Sequence, residues 1–278
     1  MLSYRHAYHA GNFADILKHT VLIEALNYLH KKDKPFEYID THAGAGLYDL
    51  SDKFANKNKE FKNGIEKLNL DDFPELADYF AAIDHFNAIN TTGIYPGSPA
   101  IAKQYLRRQD RAWLFEKHPS DHAILKEHMI KNRRIRVSPD DGFKGLISLL
   151  PPHSRRALIL IDPSYEIKED YKHVFDYTLK AYRKFSTGTY AIWYPVVDRY
   201  RVDDLEQQFK KSGIKNIQLF ELGLSPDSSE RGMSASGMIV INPPWTLFDK
   251  MEQLLPKFVD TLSSQEAGFS RCEILSGE

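Results

Sequence analysis

The tetrapeptide Asp162-Pro163-Ser164-Tyr165 follows the most apolar segment of the chain, residues 157–161, and brings a carboxylate, a backbone carbonyl and an aromatic ring together. An exocyclic amine on an aromatic base is a poor nucleophile, because its lone pair is delocalised into the ring. A carboxylate at Asp162 and the carbonyl of Pro163 would accept its two N–H bonds, localise the lone pair and aim it at an electrophilic methyl group. Proline suits such a strip, having a fixed φ and no N–H of its own. Tyr165 offers a flat face on which a base lifted out of its stack can rest. No covalent intermediate is needed, which agrees with the single cysteine, Cys272, lying near the end of the chain. One cysteine also excludes an internal disulfide and a cysteine-built zinc site. Alone, the tetrapeptide reads better as a strand-ending Asp-Pro turn with a buried tyrosine.

Three other segments decide between those readings. Gly44-x-Gly46 follows a short apolar run at 36–40, and glycines at a strand end let backbone approach a nucleotide closely; a plain tight turn explains two glycines as well. A dinucleotide-binding oxidoreductase would want a third glycine, which is missing. Residues 112–116 end in Glu116, where a carboxylate can accept both ribose hydroxyls. Residues 135–138 lead into Asp140-Asp141-Gly142, where a carboxylate can take an adenine amino group. Each acid alone suits a surface or a helix cap. Three successive strands each delivering a suitable group at the ligand-binding edge of a parallel sheet is a stronger pattern. It points to an adenosine-containing cofactor; with a strip at 162–165 that would hold an amine toward a sulfonium methyl, the cofactor expected is S-adenosyl-L-methionine, which becomes S-adenosyl-L-homocysteine.

Alternating strands and helices are needed to position these groups. Asn12 can cap a first helix, with Asp15 near its positive end, and Leu17, Val21, Ala25 and Leu29 form a buried stripe. Strands are expected at 36–40, 112–116, 135–138, 157–161, 190–194, 217–221 and 238–242. Helices are expected from Pro119, after Asp141-Gly142, at 169–185, at 203–212 and after Trp245. This alternation predicts an α/β fold, a mostly parallel seven-stranded sheet covered on both faces. Residues 51–95 interrupt it as a small inserted helical subdomain, too short to bury much core alone, within a single domain over 1–278. The tail after Thr261 reads as loosely structured.

Asn242-Pro243-Pro244-Trp245 fits an (Asp/Asn/Ser)-Pro-Pro-aromatic pattern better than the strip at 162–165. It ends the seventh strand, however, which is expected to run antiparallel and so to point away from the cofactor edge. It is read as a strand-to-helix turn.

Hydrophobic residues make up 42% and charged residues 27% of 278, ordinary for a globular protein. No apolar run reaches membrane-helix length and the start lacks a signal-peptide core, so a cytoplasmic protein is expected. The net charge of −1 gives no overall attraction to nucleic acid. Contact with RNA must come from local clusters: Arg107-Arg108 with Arg111, residues 131–136, and Arg155-Arg156, each of which alone suits a solvated surface. His6, His9 and His19 lack cysteine or spaced acidic partners, so no metal is expected. Tyr4, Arg5 and His6, beside Lys18-His19, instead suit an aromatic and basic lip over RNA.

The blocks at 1–6, 9–12, 17–20, 40–46, 95–99 and 231–245 together resemble the bacterial J-type 23S ribosomal RNA adenine-N6 methyltransferases, over nearly the whole chain. The resemblance implies a Rossmann-like class I methyltransferase fold and N6-methylation of one adenosine in 23S rRNA. A monomer with no obligate protein partner, acting on free or early-assembly 23S rRNA, is expected. The resemblance also implies cofactor contacts at Lys18, His19, His42, Ser98, Glu116, Asp141 and Gly142, with Gly44 and Asp162 alongside. It makes Asp162 the catalytic acceptor and Tyr4 a substrate contact. Ser164 departs from the family strip, where a second proline is usual. Competing readings are an adenine-N6 methyltransferase acting on DNA, a protein-glutamine methylase, and an RNA-binding protein that holds cofactor without turnover.

Overall fold

In the computed structural model, which describes residues 5–89, 93–130, 132–167, 169–226, 232–263 and 267–277, Asn12 opens the first helix. Its side chain accepts the backbone N–H of Asp15 at 3.0 Å, and α1 runs Phe13–His30. The expected stripe understates its burial, because residues 13–23 are all buried. A helix buried all round is one the core surrounds, and α1 lies between the sheet and its other helices. That placement buries Lys18 and His19 beneath the site.

The remaining elements are β1 (Glu37–Asp40), β2 (Leu47–Asp49), α2 (Lys53–Asn58), α3 (Ala77–Ile89), β3 (Ile94–Pro96), α4 (Ser98–Tyr105), β4 (Arg111–Phe115), α5 (Pro119–Met129) and β5 (Ile135–Ser138). There follow α6 (Gly142–Leu149), β6 (Ala157–Ile161), α7 (Asp170–Lys184), β7 (Thr189–Val196), α8 (Arg199–Lys211), β8 (Ile217–Gly223), β9 (Ala235–Ile241), α9 (Leu247–Leu262) and β10 (Phe269–Ser276). The main sheet has the order β10-β8-β9-β7-β6-β1-β4-β5. Strands β5, β4, β1, β6 and β7 are parallel, and β9 runs against both β7 and β8. One core packs α1, α4, α5 and α9 on one face; the other packs α6, α7 and α8 on the opposite face.

Two expectations are corrected. The main sheet has eight strands, where seven were expected, because the tail after Thr261 is not loose: α9 continues to Leu262 and β10 pairs antiparallel with β8. Strand β10 is half-exposed on both faces, so its residues carry no apolar-polar alternation to read. Its order comes from the β8 ladder and from Arg271, which holds Glu206 at 2.8 Å. Helix α4 was not anticipated. Antiparallel β2 and β3 close off residues 50–93, where α2, short 3-10 turns and α3 send Phe61, Ile65, Phe73 and Tyr79 into the α1-side core.

Candidate active site

Strands β1 and β6 are neighbours, with β4 and β5 beyond one and β7 beyond the other. The crevice outside their carboxyl ends is the sheet's topological switch point. Thr41 donates its N–H to the Leu160 carbonyl at 3.1 Å, so the two strand ends stay in register and Asp162 emerges beside the loop that carries His42 and Gly44.

Lys18 Nζ reaches Asp162 Oδ2 at 2.7 Å and Asp15 Oδ1 at 3.0 Å. Asp15 Oδ2 accepts the Gly11 N–H and meets His6 Nε2, each at 2.9 Å. Four charged or titratable groups therefore form one chain, from the amino-terminal segment through α1 to the end of β6. Burial pushes the Asp162 carboxyl above its ordinary range, and Lys18 opposes the shift without cancelling it. Asp15 is more deeply buried, yet His6 and Lys18 outweigh burial and hold it well below the carboxylate range.

Two cavities meet on this chain. One, of about 490 Å³, is bordered by Ser164, Tyr165 and Trp193 and extends to Asn58 and Glu60. The other, of about 30 Å³, is bordered by His19, His42, Gly44, Tyr48 and Ser98. His6, Lys18 and Asp162 line both. Tyr165 has φ 53°, a left-handed conformation costly for a bulky residue. It is held there by donating its hydroxyl to the Trp193 carbonyl at 2.6 Å and by packing its ring 4.6 Å from that of Tyr171.

Around the smaller cavity, burial depresses the His19 imidazole to about 3 and the His42 imidazole to about 4. His19 Nδ1 lies 2.9 Å from the Tyr95 hydroxyl, while its buried Nε2 has no hydrogen-bond partner. Ser98 donates to Asp40 Oδ2 at 2.7 Å, as does the Tyr38 hydroxyl. Burial raises Asp40 to about 6. Glu116 borders neither cavity but clamps the glycine loop: Oε2 accepts the Gly44 N–H at 2.8 Å and Oε1 the His118 N–H at 2.7 Å. Burial raises it to about 6 as well. A Cβ on Gly44, at φ 62°, would meet the Tyr48 hydroxyl, so only glycine keeps this backbone bare.

Asp141 caps α6 by accepting the Lys144 N–H at 3.2 Å, and a Cβ on Gly142 would meet the Thr41 carbonyl. Both residues therefore have structural duties, and neither borders a cavity. Arg5 also lies off the cavities, donating to Ser120 Oγ at 3.0 Å with its guanidinium over the Phe54 ring. Pro163 is buried between Asp162 and Ser164. Tyr4 and Arg231 fall outside the described residues. Asn242 ends β9 at the opposite edge of the sheet, donating to the carbonyls of Ser186 and Gly188, and Trp245 is 72% exposed. Among the described residues, no three His, Cys, Asp or Glu are placed to hold a metal. The reading from sequence missed Asp15, Asp40, Tyr48 and Trp193. Asp40 lies in one of the segments quoted for the family resemblance, so that signal was present; Asp15 falls between two of them and was noted only for its place near the start of the first helix.

A central parallel sheet with the reversed strand β9 beside β7, and a site at the β1/β6 crevice, defines a Rossmann-like methyltransferase fold. Residues 33–275 match the profile of the family described as ribosomal RNA large subunit methyltransferase D, RlmJ, and the chain belongs to that family. It is similar to the ribosomal RNA large subunit methyltransferase J of Escherichia coli, at 50% identity over 92% of each chain. Identity to the methyltransferase J of Haemophilus influenzae is 46% over the full length of both. A crystal structure of a Legionella pneumophila protein of the DUF519 family superposes with TM-score 0.86 at 38% identity, covering 96% of this chain and 98% of that one.

Proposed function

We propose that this protein methylates N6 of one adenosine in 23S rRNA, with Asp162 as the acceptor that activates the amino group. The observation that carries the reading is the position of Asp162 on the wall shared by the two cavities, with Lys18 on only one of its oxygens. The names of the family and of both relatives support a large-subunit RNA as substrate.

S-adenosyl-L-methionine, the cofactor of this class, supplies an electrophilic methyl group. The groups around the smaller cavity, which at about 30 Å³ takes only a small part of the molecule, suit its polar atoms: a buried His19 Nε2 without a hydrogen-bond partner, the Ser98 hydroxyl, and a glycine loop kept bare at Gly44. Lys18, His42, Glu116, Asp141 and Gly142 complete the proposed binding set, with Glu116 accepting ribose hydroxyls and the α6 amino end near the base.

The target adenine occupies the larger cavity, its ring on Tyr165. Asp162 Oδ1 accepts one amino N–H and the Pro163 carbonyl the other, which localises the nitrogen lone pair. Lys18 opposes the pull of burial on Asp162 and so favours its carboxylate form, which accepts the N–H and balances the positive charge that develops on N6. Tyr4, Arg5 and His6 cover the RNA flanking the base.

Labelled S-adenosyl-L-methionine is incubated with the protein and deproteinised 23S rRNA, assembled subunits or DNA, and the products are digested to nucleosides. Label in N6-methyladenosine from RNA alone is expected. Label only in DNA, or in another nucleoside, overturns the proposal.

A further inference from the structure

Two of the three basic clusters that looked like separate surface patches in the sequence converge in space. Arg108 and Arg111, around the start of β4, and Arg133, Arg134 and Arg136, around the start of β5, line a single cleft of about 340 Å³ with Trp113. Strands β4 and β5 pair in parallel with Trp113 opposite Arg136, so an indole and a guanidinium stand side by side on one face. Strand β5 is the outermost strand of the sheet, and Arg108, Arg111, Arg133 and Arg136 are exposed.

Five arginines face one carboxylate in this cleft, Asp110, which is fully buried and held by Arg107 at 2.8 Å. Arg107, which lies outside the cleft, is also 3.9 Å from Asp33, and Glu37, opposite Arg111 in the sheet, accepts the Trp113 indole N–H at 2.7 Å. Arg134 is fixed as part of the frame, donating to the carbonyl of Leu106 and to Asn132. The other four arginines form no ion pair among the described residues. Such a density of uncompensated guanidinium is costly to the fold through mutual repulsion, and it stands out in a chain whose net charge is −1.

We infer that this cleft binds the phosphodiester backbone of RNA, at a site separate from the one that takes the target adenine. Guanidinium forks match phosphate oxygens bidentately, and the four exposed arginines provide several such forks with an aromatic face among them. The cleft lies at the amino ends of β4 and β5, whereas Glu116 and the catalytic crevice lie at their carboxyl ends. Five residues of β4, at roughly 3.3 Å each, put the two about 17 Å apart. A structured RNA can therefore be gripped around the β5 edge while one of its bases enters the crevice. Contacts of this kind set position and affinity without reading sequence.

The inference rests on RNA as the substrate, so its test is kept apart from methyl transfer. Binding of cofactor-free protein to a 23S rRNA fragment is measured between 50 and 200 mM salt for the wild type, for a triple variant with Arg108→Gln, Arg111→Gln and Arg136→Gln, and for the corresponding triple Lys variant. The Gln variant is expected to bind about tenfold or more weakly at 150 mM salt, with the slope of log affinity against log salt shallower by about 2. Its KM for RNA rises while kcat at saturating RNA holds, and the Lys variant recovers most of the slope. Unchanged affinity and slope in a Gln variant with the wild-type circular dichroism spectrum would overturn the inference. So would unchanged binding to naked RNA coupled with lost binding to a protein-containing assembly intermediate, which would assign the cleft to an acidic protein. A wild type that grips RNA through these arginines yet methylates only DNA would sink the proposed function and leave the cleft standing.

Discussion

Lys18 Nζ and Asp162 Oδ2 are 2.7 Å apart although 144 residues separate them in the chain. Burial raises Asp162 and Lys18 is the first group that opposes it. Replacing Lys18 with Met removes the largest opposition to burial and leaves only the smaller pull of His6, so Asp162 holds its proton to higher pH. The acid limb of kcat/KM against pH is expected to move to higher pH in Lys18→Met, with activity recovering on the alkaline side. An unmoved limb with a uniformly lower rate would mean that Lys18 serves only to bind ligands.

Asp162→Ala is expected to lower kcat by about a hundredfold or more, in line with loss of a positioned proton-accepting group. Cofactor affinity, measured by calorimetry, separates this from a binding defect. Ser164→Pro restores the family strip and is expected to change turnover only modestly, because Asp162, the Pro163 carbonyl and the Tyr165 ring stay in place.

Glu116 sits at about 6 because of burial. A protonated carboxyl is a poorer acceptor for ribose hydroxyls, so affinity for S-adenosyl-L-methionine should fall as pH drops through 6. Titration calorimetry between pH 5 and 8 checks this. In Glu116→Gln the affinity is lower throughout and nearly flat over that range.

His19 is neutral in the folded protein, its pKa depressed by burial to about 3 against 6.5 when unfolded. The unfolded chain therefore binds the extra proton between those values, and stability falls as pH drops below 6.5. The cost is about 1.4 kcal/mol per pH unit inside that window. His19→Gln should gain on the wild type by about 2 kcal/mol between pH 6.5 and 5, with no relative change above 6.5. Urea denaturation at pH 7.5, 6.5 and 5 gives the difference directly.

Trp245→Ala should leave methyl transfer unchanged, since β9 carries that segment to the opposite edge from the crevice. Asn242→Ala removes two donated hydrogen bonds and places alanine at φ 51°. A loss of about 1–2 kcal/mol in stability with kcat intact is expected.

Much of this architecture was legible because strands β4, β6 and β7 are short, largely apolar runs, and the acids that could act, Glu116 and Asp162, follow directly on β4 and β6. Strand β10 was illegible because a half-exposed edge strand has no buried face to imprint a period on its sequence. The placement of Glu116 and Asp162 at one sheet edge followed from strand order. The tie between Glu116 and the Gly44 N–H did not, because it depends on how the loop after β1 folds against the end of β4. Asp15 meets Lys18 at the i,i+3 spacing of one helix, but a helix buried on all sides has no polar face to say that His6 and Asp162 are their further partners. Asp40 went unnoticed for a related reason, since an acid at the end of a buried strand looks like the start of a turn until Ser98 and Tyr38 are seen donating to it.

Asp15 has a consequence for anyone handling the protein. It joins His6 and Gly11 to Lys18, so the segment at 6–11 is wired into the candidate site. An affinity tag or fluorescent label fused ahead of it would disturb Lys18 through His6 and pass for a catalytic lesion. The other end is the safer handle: β10 is the outermost strand on the opposite flank of the sheet, four strands removed from β6.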